Sequence, residues 1–131
     1  MSGYSNGIQQ TYFFGAFAGV SSAGQSADKI SGPAGLTGRV LSMNAIANVA
    51  TTGAASAITL RNNVTTTEIY ASLVVPVTAI EVAITSSMVI DDTSDTPTHV
   101  GRIPAGAALE LDGDGAATLG NLDVWVTIEW S

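Results

Sequence analysis

The chain has 131 residues, 4 basic against 11 acidic side chains, a formal charge of -7, one histidine and no cysteine. That length suits one domain with one modest core, because folding at this size buries roughly two-thirds of the unfolded surface. The lack of cysteine excludes disulfides and thiolate chemistry, and the acidic balance argues against a phosphate-backbone partner. No apolar run of about 18 residues offers a membrane span, while 46% hydrophobic content is too high for a disordered acidic tail.

There are 12 Val, 10 Ile and 15 Thr, side chains that are stiff at χ1 and pack well on a pleated surface. The class this predicts is all-β. Only 11% of residues are charged, under half of the roughly 25% usual in globular domains. The polar surface is therefore built from Ser, Thr, Asn and Gly, which lose little side-chain entropy when another protein covers them. The composition points to a protein packed against other copies.

Residues 1–36 read as a distinct N-terminal extension. A polar start leads into Thr11-Tyr-Phe-Phe-Gly-Ala-Phe-Ala18, which holds all three phenylalanines, and a Gly/Ala/Ser-rich stretch follows with Gly32-Pro33-Ala34-Gly35 as a turn. No Lys or Arg precedes the apolar stretch, so it is read as an aromatic-anchored arm rather than a cleaved leader. Such an arm docks on a neighbour or on the domain's own sheet. Residues 37–131 form the predicted domain.

From Arg39 onward the period is two. Leu41, Met43, Ala45, Ala47 and Val49 alternate with Ser42, Asn44, Ile46 and Asn48; Ile58 and Leu60 follow after a turn at 51–55. Asn62-Asn63 turns the chain into Ile69, Ala71, Leu73 and Val75, set against Glu68, Tyr70 and Ser72, and Pro76 ends that strand. Ile80, Val82 and Ile84 alternate next, Met88 to Ile90 is a further short strand, and Asp91 to Thr98 is a loop. Leu109 and Leu111 flank Glu110, Asp112-Gly-Asp-Gly115 is a turn, and the closing strand is the clearest. There Leu122, Val124, Val126, Ile128 and Trp130 face one way, with Asp123, Trp125, Thr127 and Glu129 opposite. About seven to eight short strands with regular turn signals predict an antiparallel β-sandwich or jelly roll.

Candidate chemistry is sparse. His99 is the lone histidine and no Gly-x-Ser-x-Gly elbow accompanies it, so it reads as a loop or interface residue. Asp91, Asp92 and Asp95 offer carboxylates to calcium, as do Asp112 and Asp114, yet neither group matches the twelve-residue calcium loop. Both are expected to be loop chemistry, with no metal and no cofactor. Glu68, Glu81, Glu110 and Glu129 fall on polar strand faces, where solvation is the simpler reading than a glycosidase pair. Asn63-Val64-Thr65 matches a glycosylation acceptor, a pattern common by chance in such a chain. The four basic residues form no nucleic-acid stripe. Tyr70 and Trp125, read as outward-facing, suit a subunit contact or a sugar-stacking platform.

The stretch Val100-Gly-Arg-Ile-Pro-Ala-Gly-Ala-Ala-Leu-Glu-Leu-Asp-Gly-Asp-Gly-Ala-Ala and then Gly120-Asn-Leu-Asp-Val-Trp-Val-Thr-Ile-Glu-Trp130 resembles the capsid decoration (cement, head-stabilising) proteins of tailed bacteriophages. In those proteins an Ile-Pro-Ala-Gly turn leads into a strand, a Gly/Asp/Ala loop follows and an alternating strand closes the chain. The resemblance covers about 30 residues plus the composition. It implies a virion structural protein on the outer capsid surface, with the major capsid protein as partner and no catalytic residues. Closed symmetry at local three-fold positions makes a homotrimer the expected form. The residues expected to carry contacts are Tyr12, Phe13, Phe14 and Phe17 in the arm, with Tyr70 and Trp125 on the domain. The other reading is a carbohydrate-binding or receptor-binding fibre module, and a hydrolase lacks a base–nucleophile pair.

Overall fold

The computed structural model describes residues 7–84, 88–89 and 102–131. Eleven strands in this part of the chain form two antiparallel sheets packed face to face, a β-sandwich without helices. Five strands are two-residue pieces; β1 (Ile8–Phe17), β4 (Gly38–Thr52), β5 (Ser56–Asn62), β6 (Ile69–Val75), β10 (Ala108–Gly113) and β11 (Leu119–Trp130) are the six longer ones. The expected seven or eight is thus exceeded only by short edge fragments.

The first sheet runs β1-β11-β4, with β7 (Ala83–Ile84) and β9 (Arg102–Ile103) both on the far edge of β4. The second runs β10-β5-β6-β8 (Met88–Val89), and its other edge is covered by β2 (Gly24–Gln25) and β3 (Ile30–Ser31), both against β10. Strands β4 and β11 pair in the first sheet, while their chain neighbours β5 and β10 pair in the second. A two-stranded ribbon therefore folds over from one layer to the other, held at the corner by Thr118 N–H donating to Thr52 O at 2.7 Å.

Strand β11 follows its alternation. Leu122, Val124, Val126, Ile128 and Trp130 are buried in the core, while the intervening side chains face outward. Burying each such aliphatic side chain is worth about 1.5–3 kcal/mol, so this strand is a large contributor to a core that β1, β4, β5, β6 and β10 share. Strand β4 departs from its expected phase at both ends. The register to β11 skips Leu41 and Asn48, and each extra residue reverses which way the next one points. Val40 is buried where Leu41 was expected, and Val49 is exposed.

Residues 8–36, expected as an extension, are built into the sandwich. β1 is a full strand of the first sheet, in unbroken register with β11 from Ile8↔Trp130 to Phe14↔Val124. The chain then crosses over to edge the second sheet. Between β2 and β3, Ser26 N–H donates to Leu111 O at 2.8 Å and Leu111 N–H donates to Ser26 Oγ at 3.0 Å. A side-chain oxygen thus replaces the carbonyl missing from an interrupted edge.

Glycine permits one close approach and one tight turn here. A Cβ on Gly113 would lie 2.3 Å from the Gly19 carbonyl oxygen, so the crossing segment touches β10 backbone to backbone. In the Ile-Pro-Ala-Gly turn, Ala107 N–H donates to Pro104 O at 3.3 Å and Gly106 has φ +81°, the third-position geometry that a type II turn requires.

Candidate interaction face

The outer face of the first sheet is assembled from β1, β11 and β4. Register places Phe13 beside Trp125 and Trp125 beside Asn44, with Thr11, Thr127 and Ser42 in the next row. The Phe13 and Trp125 rings lie 5.2 Å apart, tilted by 44°, within the range where aromatic pairs attract. Phe13 nonetheless keeps 52% of its surface in solvent. Thr11 and Thr127 join their hydroxyls at 2.9 Å.

Charge is confined to the two ends of this face. At one end Arg39 Nη2 meets Glu129 Oε1 at 3.2 Å. At the other, Asp123 Oδ1 accepts from Ala16 N–H at 3.0 Å and from Asn48 Nδ2 at 2.9 Å. The centre is uncharged: two aromatic rings among hydroxyls and one amide. From strand spacing and rise the face measures about 20 Å by about 15 Å, or about 300 Å². A stable contact buries about 800 Å² on each partner, so this face fits the middle of a larger contact.

A second apolar surface lies along the outer edge of β4. Segment 76–82 is tied there by reciprocal Thr51–Thr78 backbone bonds of 3.0 and 3.2 Å and by Glu81 N–H to Ala47 O at 3.1 Å. It exposes Val77, Ile80 and Val82, next to exposed Val49 on β4 itself.

Of the six residues expected to make contacts, only Phe13 and Trp125 come together. Phe14 and Phe17 are core residues, 1% and 4% exposed; a bulge after Phe14, where Ala16 takes φ +52°, turns Phe17 to the same side. Tyr12 is half-buried, its hydroxyl accepting from Trp130 Nε1 at 2.9 Å and donating to Gln10 Oε1. Tyr70 is fully buried rather than outward. The register from Leu60↔Ala71 to Arg61↔Ile69 leaves Tyr70 as the extra residue, so both it and Ala71 point inward. Its hydroxyl donates to Glu68 Oε1 at 2.9 Å and accepts from Asn62 Nδ2 at 3.3 Å, and burial pushes the phenol pKa up to about 12.

Glu110 also departs from expectation. It is 3% exposed, on the outer side of β10, where Arg61 Nε meets it at 2.8 Å and Lys29 Nζ at 3.2 Å. Arg61 also reaches Asp112 at 3.3 Å. Two of the four basic residues thus neutralise one buried carboxylate and its neighbour. Asp114 accepts from Ser56 Oγ at 2.6 Å and from Ala116 N–H at 3.0 Å. Burial draws its carboxyl upward, but these hydrogen bonds outweigh that and its pKa lies below the ordinary value. Asp112 and Asp114 are therefore occupied by turn and ion-pair roles, and no acidic or histidine cluster able to hold a metal occurs among the described residues. His99 and the Asp91, Asp92 and Asp95 group lie outside the described residues.

The missed members of the face are Thr11, Ser42, Asn44 and Thr127. Alternation already placed most of them on polar strand sides; the missing signal was which strands are neighbours. No protein family model matches the chain, and no curated protein sequence matches it. What the geometry defines is a class: a small β-sandwich with an aromatic-centred sheet face whose charges lie at its two ends.

Proposed function

We propose that this is a non-catalytic structural protein of the virion, of the capsid decoration kind. It binds the outer capsid surface at capsomer joints and stabilises the mature phage head. Its partner is the major capsid protein, and its copies close as homotrimers at local three-fold positions. The observation that carries this reading is the sheet face centred on exposed Phe13 and half-buried Trp125, with no charge between them, on a chain of charge -7. Aromatics at the centre with charge at the rim is the pattern of protein–protein contacts.

A clamp must hold two bodies, and the molecule carries two separate apolar surfaces, this face and the 76–82 segment. Internal DNA pressure loads the joint between capsomers, and area bridging it slows its opening. The layout of the C-terminal third supports the same reading: an Ile-Pro-Ala-Gly turn into β10, a Gly/Asp/Ala loop, then the alternating β11.

The solvent-facing ring pair also favours one other reading, a carbohydrate-binding or receptor-binding fibre module. Stacking on a sugar needs an open, coplanar platform, whereas the 44° tilt sets the edge of one ring towards the other. The test is density-gradient fractionation of the native source, with the protein quantified against the major protein of each fraction. Near-stoichiometric sedimentation with capsid-sized particles is expected. A chain that stays at the top of the gradient, or that binds glycans on an array, overturns the capsid reading.

A further inference from the structure

The outer edge of β1 has no strand against it among the described residues. Natural sheets blunt such edges with lysine, proline, bulges or very short strands, because unpaired N–H and C=O groups recruit other strands. β1 has none of these from Ile8 to Phe14. That stretch is seven residues in unbroken register with β11, without proline or charge, and exposed except at Tyr12 and Phe14. The first charged residue of the chain is Asp28.

We propose that β1 pairs edge to edge with β1 of a second copy, antiparallel about a two-fold axis. Charge selects this occupant. Two chains of charge -7 repel wherever their acidic surfaces meet, and residues 1–27 form the longest charge-free stretch in the sequence. An isologous contact puts the same patch on both sides, so a neutral strand meets a neutral strand. Pairing the whole unbroken stretch requires the axis to pass through its middle residue, Thr11. That register sets Ile8 against Phe14, Gln9 against Phe13, Gln10 against Tyr12 and Thr11 against itself. The two outer faces then become one surface across the axis, with Phe13–Trp125 pairs on either side. The contact is two-fold, so it is independent of the capsid reading and separate from any three-fold contact.

The chain has no cysteine, so Thr11→Cys introduces a single thiol that can meet only its own copy. Mild oxidation is expected to convert most of this variant to a covalent dimer on a non-reducing gel, while Val64→Cys, exposed on the loop between β5 and β6 of the other sheet, stays monomeric on that gel. Sedimentation of the unmodified protein is expected to give species in multiples of two. Thr11→Lys, which sets two ammonium groups against each other, should halve the mass with no loss of melting temperature. Equal cross-linking of the two thiol variants, or a Thr11→Lys protein that keeps both its mass and its fold, overturns the proposal. If Thr11→Lys unfolds, cross-linking of Thr11→Cys alone decides.

Discussion

The two tryptophans sit on the same strand five residues apart and should behave as opposites. Trp130 is 1% exposed; its ring fills the space over Gly32 and Gly38, where an added Cβ would lie 2.4 and 2.6 Å from ring carbons. Its Nε1 donates to Tyr12 Oη at 2.9 Å. Trp130→Ala removes that burial and opens a cavity that backbone glycines cannot collapse to fill, at a cost of about 3–5 kcal/mol. Trp125 is half-buried on the outer face and has Phe13 as its ring neighbour. The ring pair is worth about 0.5–1.5 kcal/mol beyond its area, so Trp125→Ala should cost about 1–2 kcal/mol and leave a folded protein. Urea unfolding followed by far-ultraviolet circular dichroism measures both, with equal slopes for the two variants. Trp125→Ala should also lose particle binding while remaining folded. The reasoning is refuted if Trp125→Ala loses as much stability as Trp130→Ala, because the face would then be a packed surface of the fold. It is equally refuted if Trp125→Ala binds particles as well as the parent does.

Glu110→Ala should cost about 2–3 kcal/mol in the same urea assay, because it leaves Arg61 and Lys29 without the carboxylate they share, although Asp112 still holds Arg61; a loss below about 0.5 kcal/mol would mean that the cluster is solvated. Gly113→Ala forces a methyl group into the Gly19 backbone and should cost about 1–3 kcal/mol, and a variant with an unchanged melting temperature would refute that close approach. Tyr70 gives an alkaline dependence. Its pKa is raised by burial to about 12 from 10.0, so the unfolded chain ionises first and stability falls as pH rises from 10 towards 12, by about 2–3 kcal/mol in total. The difference in stability between the parent and Tyr70→Phe should move against the parent by that amount over the interval; a constant difference would show that Tyr70 titrates normally.

How far these features could be read beforehand depended on whether they were local. Alternation is a property of one strand, and it identified the buried side of β11 residue by residue. A bulge changes the parity without changing the composition. Leu41, Val49 and Tyr70 all lie at or beyond such an extra residue, and strict alternation puts all three on the wrong side. Tyr70 illustrates the physics: strict alternation sends it outward between Ile69 and Ala71, yet one unpaired residue lets a large ring enter the core beside Ala71, where Asn62 and Glu68 meet its hydroxyl. Glu110 failed for another reason. Its burial rests on Arg61, which faces it in register across β5, and on Lys29 from near the covering edge strand, so its environment is a property of pairing.

The face itself shows the same limit from the functional side. Phe13 and Trp125 come from opposite ends of the chain, joined because β1 adds to the free side of β11. Each lies on a strand whose other members give no motif, and neither is selected over Phe14 or Trp130 by residue type. What separates them is parity relative to the core, since Phe13 and Trp125 occupy the positions that the apolar alternation leaves over. A large aromatic on that side keeps solvent-exposed area that only something outside the sandwich can cover. Two of them in contact, with no charge between them, form a surface that loses little by leaving water. Polar groups on this face are mostly hydroxyls and amides that can bond to a partner without the desolvation cost of an ion. The composition that kept charge scarce across the whole chain thus has its clearest structural expression here.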